Sequence, residues 1–469
     1  MSARPEILRN RWWPGSVLAL AAVVLSSTAA EGVPAFARKY ETSCQTCHTI
    51  FPKLNAFGEA FRLKGYRMPG ETEEMVKEKP VSLGAPAYKR LWPHAVWPGE
   101  ISSAVPLAIN AKMGVVNSST LNPDGTVTTL RNDFQFPQEV NIFGAGTLGD
   151  HVSYLTEVTF AENPDGSTSS ELEHARFQID SPWGREDLIH IRIGKFAPNL
   201  VDGFQEMWIS TDAAIDSVFA YNPIGPNGGV GLAGDVSPQP IALPDRVRGI
   251  EGYGIINHRF LWVAGVANGI SPGASGGFDG NNSKDFYARL DYKFGGMGLD
   301  GDMGGRTAPA ENWRDDSLRI GAFVYRGDGS GINYPFGEGL IVNVQDAHFL
   351  RTGLYASVYF RDLNVFGAYV HGSDTLQLFN PDIGAVLVQG PPTYDSAFVQ
   401  ADYVIYPWLL AAARFETVRV GDRTVPSLQS AVFNLSGLIR ANVKAMVEYQ
   451  RDLRTGQNHS LNVLLRFAF

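Results

Sequence analysis

From residue 101 to the last residue, short stretches of the chain alternate strictly between apolar and polar side chains. In 284–295, Phe286, Ala288, Leu290, Tyr292 and Phe294 share one face, and Tyr287, Arg289, Asp291 and Lys293 share the other. In 441–450, Ala441, Val443, Ala445, Val447 and Tyr449 oppose Asn442, Lys444, Met446, Glu448 and Gln450. In 396–406, Ala397, Val399, Ala401, Tyr403 and Ile405 oppose Gln400 and Asp402. A period of two predicts strands with one apolar and one polar face.

Sixteen such segments are predicted, at 101–117, 138–148, 150–162, 171–181, 188–196, 247–257, 259–269, 284–295, 316–327, 345–359, 362–372, 396–406, 408–420, 429–439, 441–451 and 458–469. Connections alternate between long (118–137, 197–246, 270–283, 328–344, 373–395) and short (Gly149, 257–258, 361–362, 406–407, 440–441). An even number of strands joined by alternating short turns and long loops is the pattern of an outer-membrane barrel, with the short turns periplasmic. One connection, 296–315, is long where a short turn is expected. Aromatic residues at strand ends (Trp97, Tyr154, Tyr253, Trp262, Tyr292, Tyr403, Trp408) fit interfacial girdles. The last segment puts Leu461, Val463, Leu465, Phe467 and Phe469 on one face and ends on an aromatic residue. The expected fold class is therefore all-β, a transmembrane barrel of about sixteen antiparallel strands. A soluble sandwich or solenoid also alternates, and is the competing reading.

The remaining chain divides differently. Arg4, Arg9 and Arg11, the apolar run SVLALAAVVL and the small residues SSTAA predict an export signal over residues 1–30. Residues 31–70 read as a small module, 71–100 as a proline-containing linker, and 101–469 as the barrel. No later apolar run reaches 20 residues, which argues against membrane-spanning helices. A net charge of -9 without a basic stripe argues against nucleic-acid binding.

Both cysteines of the 469 residues fall in the small module, as Cys44-Gln-Thr-Cys47-His48. Two thiols at this spacing can bond the two vinyl groups of haem, and the histidine behind them is then held against the iron. A thioredoxin-like site expects a βαβ setting, and a zinc site needs two more ligands; neither is offered here. One covalently bound haem c is the expected cofactor. Met68 is the first candidate for the second axial ligand; His94, His151, His174 and His190 are the others. Phe51, Leu54, Phe57, Phe61 and Leu63 are expected to form a helix covering the haem face, with Pro52 in its first turn and Gly58 close to the ring. About forty residues cannot build a core of their own. The module is therefore expected to fold back into the lumen as a plug, whose walls carry Arg192, Arg289, Asp291, Arg319, Gln400, Asp402, Lys444 and Glu448.

Residues Pro34, Phe36, Ala37, Arg38, Cys44, Cys47, His48, Phe51, Pro52, Leu54, Phe57, Gly58, Phe61, Gly65 and Tyr66 resemble the leader pattern of the fused monohaem cytochrome–porins, the iron(II)-oxidising outer-membrane cytochromes. Glu59 stands where that family usually has a basic residue. The resemblance implies an iron(II):cytochrome c oxidoreductase of the bacterial outer membrane. Extracellular iron(II) would be the electron donor and a soluble periplasmic cytochrome c the acceptor. Asp124, Asp133, Asp279 and Asp374 are loop carboxylates considered for the iron. A porin in which haem gates or senses, and a component of a larger multihaem conduit, are the alternatives.

Overall fold

The computed structural model describes residues 34–69, 81–82, 87–94, 100–101, 105–121, 126–162, 166–182, 187–202, 209–219, 243–269, 281–328, 333–336, 340–380, 385–389, 393–421, 427–454 and 456–469. The export signal and most of the linker, Trp97 included, lie outside them.

Among the described residues sixteen antiparallel strands close into one barrel. They are β1 (Leu107–Leu121), β2 (Val127–Leu148), β3 (Val152–Glu162), β4 (Thr168–Asp180), β5 (His190–Phe196), β6 (Val247–Ile256), β7 (Phe260–Asn268) and β8 (Lys284–Gly295). The second half comprises β9 (Ser317–Asp328), β10 (Leu340–Phe360), β11 (Leu363–Asn380), β12 (Thr393–Tyr406), β13 (Leu409–Val420), β14 (Leu428–Arg440), β15 (Val443–Asp452) and β16 (His459–Ala468). The ring closes where β16 pairs with β1, from His459 opposite Ser119 to Ala468 opposite Asn110. Two short strands, Asn333–Phe336 and Ala385–Gln389, pair with the outer reaches of β10 and β11.

The direction of the two faces separates the membrane barrel from a soluble sheet. Tyr287, Arg289, Asp291 and Lys293 are buried, whereas Phe286, Leu290, Tyr292 and Phe294 of the same strand are exposed, Phe286 by 54%. Gln400 and Asp402 are buried beside exposed Val399, Tyr403 and Ile405. Water would force the opposite arrangement. A closed barrel with apolar side chains outside and no open edge is how strands cross an outer membrane. No described helix is long and apolar enough to cross one.

Each predicted segment corresponds to an observed strand, but several ends differ. The first strand starts at Leu107; Glu100–Ile101 instead pairs with Val81–Ser82. β2, β10 and β11 extend well beyond their predicted ends, so 118–137, 328–344 and 373–395 are largely strand. The reason is physical: a ladder continues wherever backbone groups pair, whereas strict alternation marks only the part that meets lipid. Tyr253 was expected in an interfacial girdle but is fully buried inside, its hydroxyl donating to the Leu63 carbonyl oxygen at 2.9 Å. Tyr292, Tyr403 and Trp408 are exposed as expected.

Two connections enter the structure rather than project from it. The described parts of 197–246 lie in the lumen. Asp212 and Ala213 donate their amides to Glu448 at 2.8 and 2.7 Å, and Ser217, in helix Asp216–Phe219, donates its amide to Glu416 at 2.8 Å. The long connection 296–316, on the short-turn side, is a genuine extension that covers the N-terminal segment, as described below. The lumen is accordingly filled. Many of its buried charges are paired, with Arg289 2.5 Å and Arg319 2.9 Å from Asp291, Arg414 2.7 Å from Glu416 and Arg192 3.0 Å from Glu251. Pairing is what offsets the cost of taking such groups out of water.

Candidate functional site

Residues 34–69 supply three helices: α1 (Pro34–Lys39), α2 (Cys44–Cys47) and α3 (Ala56–Leu63). Ser43 caps α2, its side-chain oxygen accepting from the Gln45 amide at 3.3 Å. Cys44 and Cys47 are thus three residues apart on one helical turn, which sets them on the same face. Both are thiols. Burial, and then the neighbouring Cys44, push the Cys47 thiol up to about 12.

After α2 the chain makes a small hairpin, His48–Ile50 against Lys53–Leu54. Pro52 therefore stands in a turn and not in a first helical turn, and the helix begins four residues later than its apolar pattern suggested. His48 Nδ1 lies 3.0 Å from the Pro52 carbonyl oxygen. A carbonyl can only accept, so Nδ1 carries the proton and Nε2 keeps its lone pair. Burial lowers the His48 pKa to about 4, against the raising effect of the Pro52 and Lys53 carbonyls. The imidazole is therefore neutral near pH 7.

Asn55 joins the two halves of this unit. Its Oδ1 accepts from the Gly58 amide at 2.8 Å and caps α3, while its Nδ2 donates to the Thr46 carbonyl at 3.1 Å. The Asn55 amide donates to the Cys47 carbonyl at 3.0 Å. Gly58 is required here because a Cβ would overlap the Cys47 carbonyl oxygen. Its close approach is to the backbone of the cysteine turn, not to a ring. From the barrel, Asn312 donates to the His48 carbonyl at 3.2 Å and Gln45 donates to the Pro407 carbonyl at 3.2 Å. Residues 407 and 312 belong to connections at the short-turn end.

The apolar side chains of α3 divide between two cores. Phe57 and Phe61 join Phe36, Tyr40, Tyr66, Met68, Cys47 and the wall residue Leu155. Leu63 packs instead into the main lumen core. Phe36 stacks on Tyr66 at 4.7 Å and meets Phe61 edge-on at 5.3 Å. Met68 is 5% exposed. Met68 belongs to the apolar cluster that Cys47 packs against. His94 is exposed. His151 Nδ1 lies 3.1 Å from the Asp180 carbonyl oxygen, His190 Nδ1 lies 3.0 Å from Asp180 Oδ1, and His174 faces Glu157. Cys44, Cys47 and His48 are the residues that could hold a c-type haem, and Met68 shares the apolar cluster that Cys47 packs against.

Salt bridges and hydrogen bonds seat the segment on the inner wall. Lys53 Nζ reaches Asp402 at 2.5 Å and Asn364 at 2.6 Å. Lys64 pairs with Asp187 at 2.6 Å and Arg67 with Asp180 at 2.7 Å. Arg176 donates to the Tyr66 hydroxyl. Glu59 pairs with Arg62 at 2.7 Å and lies 3.4 Å from Arg319. Burial raises its carboxyl, but the charge and hydrogen bonds of Arg62, with Arg319 and Arg289 behind, bring it down to about 2. Lys53, Asn55 and Asn312 carry no sequence signal of their own, because their partners are apparent only once the chain is folded.

Among the described residues no group of three or more His, Cys, Asp or Glu could hold a metal ion. Of the loop carboxylates, Asp133 accepts from Gln135 at 3.0 Å on β2. Asp124, Asp279 and the Asp374 side chain lie outside the described residues.

No protein-family model matches the chain, and no curated protein does. Solved structures do resemble it. A loop L8 deletion mutant of OmpT, an outer membrane protein of Vibrio cholerae, is 12% identical with a TM-score of 0.44, over 77% of this chain and 98% of that one. Salmonella typhi OmpF in complex with daunomycin is 10% identical with a TM-score of 0.45, over 77% and 97%. An anion-selective porin from Comamonas acidovorans is 10% identical with a TM-score of 0.43, over 77% and 99%. At such identity the likeness concerns the barrel fold alone.

Proposed function

We propose that this outer-membrane barrel is a one-electron carrier of the fused cytochrome–porin type, with a c-type haem on Cys44, Cys47 and His48. It takes electrons from iron(II) outside the cell and delivers them to a soluble periplasmic cytochrome. Haem held at this turn supplies a one-electron iron couple. The observation that carries the reading is the arrangement of the cysteine turn. Two thiols share one face, the histidine behind them keeps its Nε2 lone pair through the bond from Nδ1 to Pro52, and Met68 lies in the cluster that contains Cys47.

The protein's own residues supply the setting. Asn55 and Asn312 fix the carbonyls of the cysteine turn. Phe36, Phe57, Phe61 and Tyr66 give an apolar surround, which controls solvent access and thereby potential. The short-turn end, where Pro407 and Asn312 meet the segment, is the periplasmic end of such barrels. That favours exchange with a periplasmic partner. The donor side of the balance is simple: each event converts one iron(II) to iron(III) and yields one electron.

A gated diffusion pore fits less well, because Arg192, Arg289, Arg351 and Lys444 on the inner wall are each 2% exposed or less. The test is anaerobic addition of iron(II) to the purified, oxidised protein with haem absorbance as the readout. Appearance of the reduced bands supports the reading. A haem that dithionite reduces but iron(II) leaves oxidised at every pH tried overturns iron as the donor.

A further inference from the structure

Lys444 on β15 faces the lumen near the short-turn end and is wholly buried. Its Nζ has no hydrogen-bond partner. It stands 5.7 Å from the centroid of the Phe51 ring. A cation over a ring gains about 0.5–2 kcal/mol, whereas taking an ammonium out of water costs several. Directly opposite on β16 is Arg466, whose Nε is also buried and without a partner. Two unfilled donors therefore lie side by side, with Cβ atoms about 5 Å apart.

The acids of the wall are already engaged. Arg466 is opposite Lys112 on β1, so three cations stand in one row across adjacent strands. Lys112 lies 3.2 Å from Asp212 and 3.4 Å from Glu139; Arg466 lies 3.7 and 3.8 Å from the same two carboxylates. Glu448, farther along β15, accepts from the amides of Asp212 and Ala213 and from Asn434 at 2.9 Å. Two carboxylates thus serve two of the three cations, and Lys444 is the third.

The segment opposite supplies no carboxylate either. Its hairpin crosses four strands of the wall: Lys53 meets Asp402 on β12, Ile50 packs on Leu410 and Ala412 of β13 and on Leu438 of β14, and Phe51 lies beside Lys444. The acids of residues 34–69 are Glu41 and Glu59. Glu41 is exposed, and Glu59 is taken by Arg62 and Arg319. The carboxylate that Lys444 lacks must belong to something the segment carries. Phe51 is three residues past His48, about 11 Å at most along the chain.

We propose that Lys444, with Arg466 beside it, receives a propionate carboxylate of the haem. The assignment rests on the haem reading above and names the wall residues that reading needs. Haem bears two such carboxylates, and an ammonium is a compact partner for one of them. Neutralising a carboxylate beside the iron disfavours the oxidised, more positive state, so Lys444 raises the potential as well as seating the group.

The test uses the full-length haem-loaded protein in detergent, with the resonance Raman propionate bending band and the midpoint potential as readouts. Lys444→Met is expected to shift the band and lower the potential. Lys444→Arg keeps the charge but changes the donors, and is expected to shift the band while holding the potential near that of the wild type. Should Lys444→Met give no heat-modifiable barrel, the band of Lys444→Arg decides. A band unmoved in both variants overturns the assignment, whether or not the potential moves, because a free anion or a distant charge would give that result. The haem reading fails separately: it falls if the intact wild-type mass lacks the haem increment, whereas a haem-bearing wild type with an unmoved band sinks this assignment alone.

Discussion

The 2.5 Å contact between Lys53 Nζ and Asp402 Oδ2 joins the hairpin behind the cysteine turn to the inner wall of β12. Both side chains are almost wholly buried. Removing one member of a buried pair leaves the other charge unmatched, at a cost of about 3–5 kcal/mol. Lys53→Ala is therefore expected to lower the unfolding midpoint and to expose residues 34–69 to protease from the periplasmic side. Asp402→Asn in the Lys53→Ala background should recover part of that loss. Limited proteolysis with terminal sequencing checks both.

Gly58 gives a sterically sharper case. A methyl group there overlaps the Cys47 carbonyl oxygen, which is backbone and cannot step aside cheaply. Gly58→Ala is expected to separate α3 from the cysteine turn and break the Asn55 bonds between them. Haem content per chain, measured by absorbance of the purified protein, should fall severalfold while the barrel still folds and migrates as a heat-modifiable species.

Glu59 predicts how the seat responds to acid. Its carboxyl is held at about 2, below the ordinary carboxylate value of about 4.3. A depressed pKa means that the ionised form favours the folded state. The contribution is complete above the ordinary value and is lost progressively as the pH falls from about 4.3 through about 2. The wild type should therefore keep residues 34–69 fully protected from pH 7 down to about pH 4 and lose protection gradually below it. Glu59→Gln should lose protection already at neutral pH, and its profile should be flatter across the acid range. Limited proteolysis of the segment measures this, with pepsin across the acid range and a neutral protease at pH 7.

Met68 would be the second iron ligand in the proposed site. A thioether ligand gives a higher potential than a second imidazole. Met68→His is expected to lower the midpoint potential in a spectroelectrochemical titration. An unchanged potential assigns Met68 to packing alone, which its cluster with Tyr40 and Phe61 would also explain.

Much of the barrel was legible because lipid imposes a rule on each residue in turn. Leu461, Val463 and Phe469 are exposed as the alternation required, and Arg466 between them is buried. Tyr253 was misread because alternation does not distinguish the two ends of a strand from its middle, nor an inward tyrosine from a girdle one. The inward course of 197–246 was hidden for another reason. Its amides are satisfied by Glu416 and Glu448, about two hundred residues away, and neither carboxylate advertises a partner. The cysteine turn was visible at once, as was the dependence of so small a unit on outside walls. Asn55, Asn312 and Lys53, which hold it, were not visible, because an asparagine or lysine acquires its role only from the carbonyl or carboxylate brought beside it.

The covalent haem is the claim on which the functional reading depends, and intact mass of the purified, denatured protein tests it most directly. The expected mass exceeds that of the mature polypeptide by one haem, and Cys44→Ser with Cys47→Ser removes the increment. A wild-type mass equal to the bare polypeptide, from cells that load other c-type cytochromes normally, would contradict it.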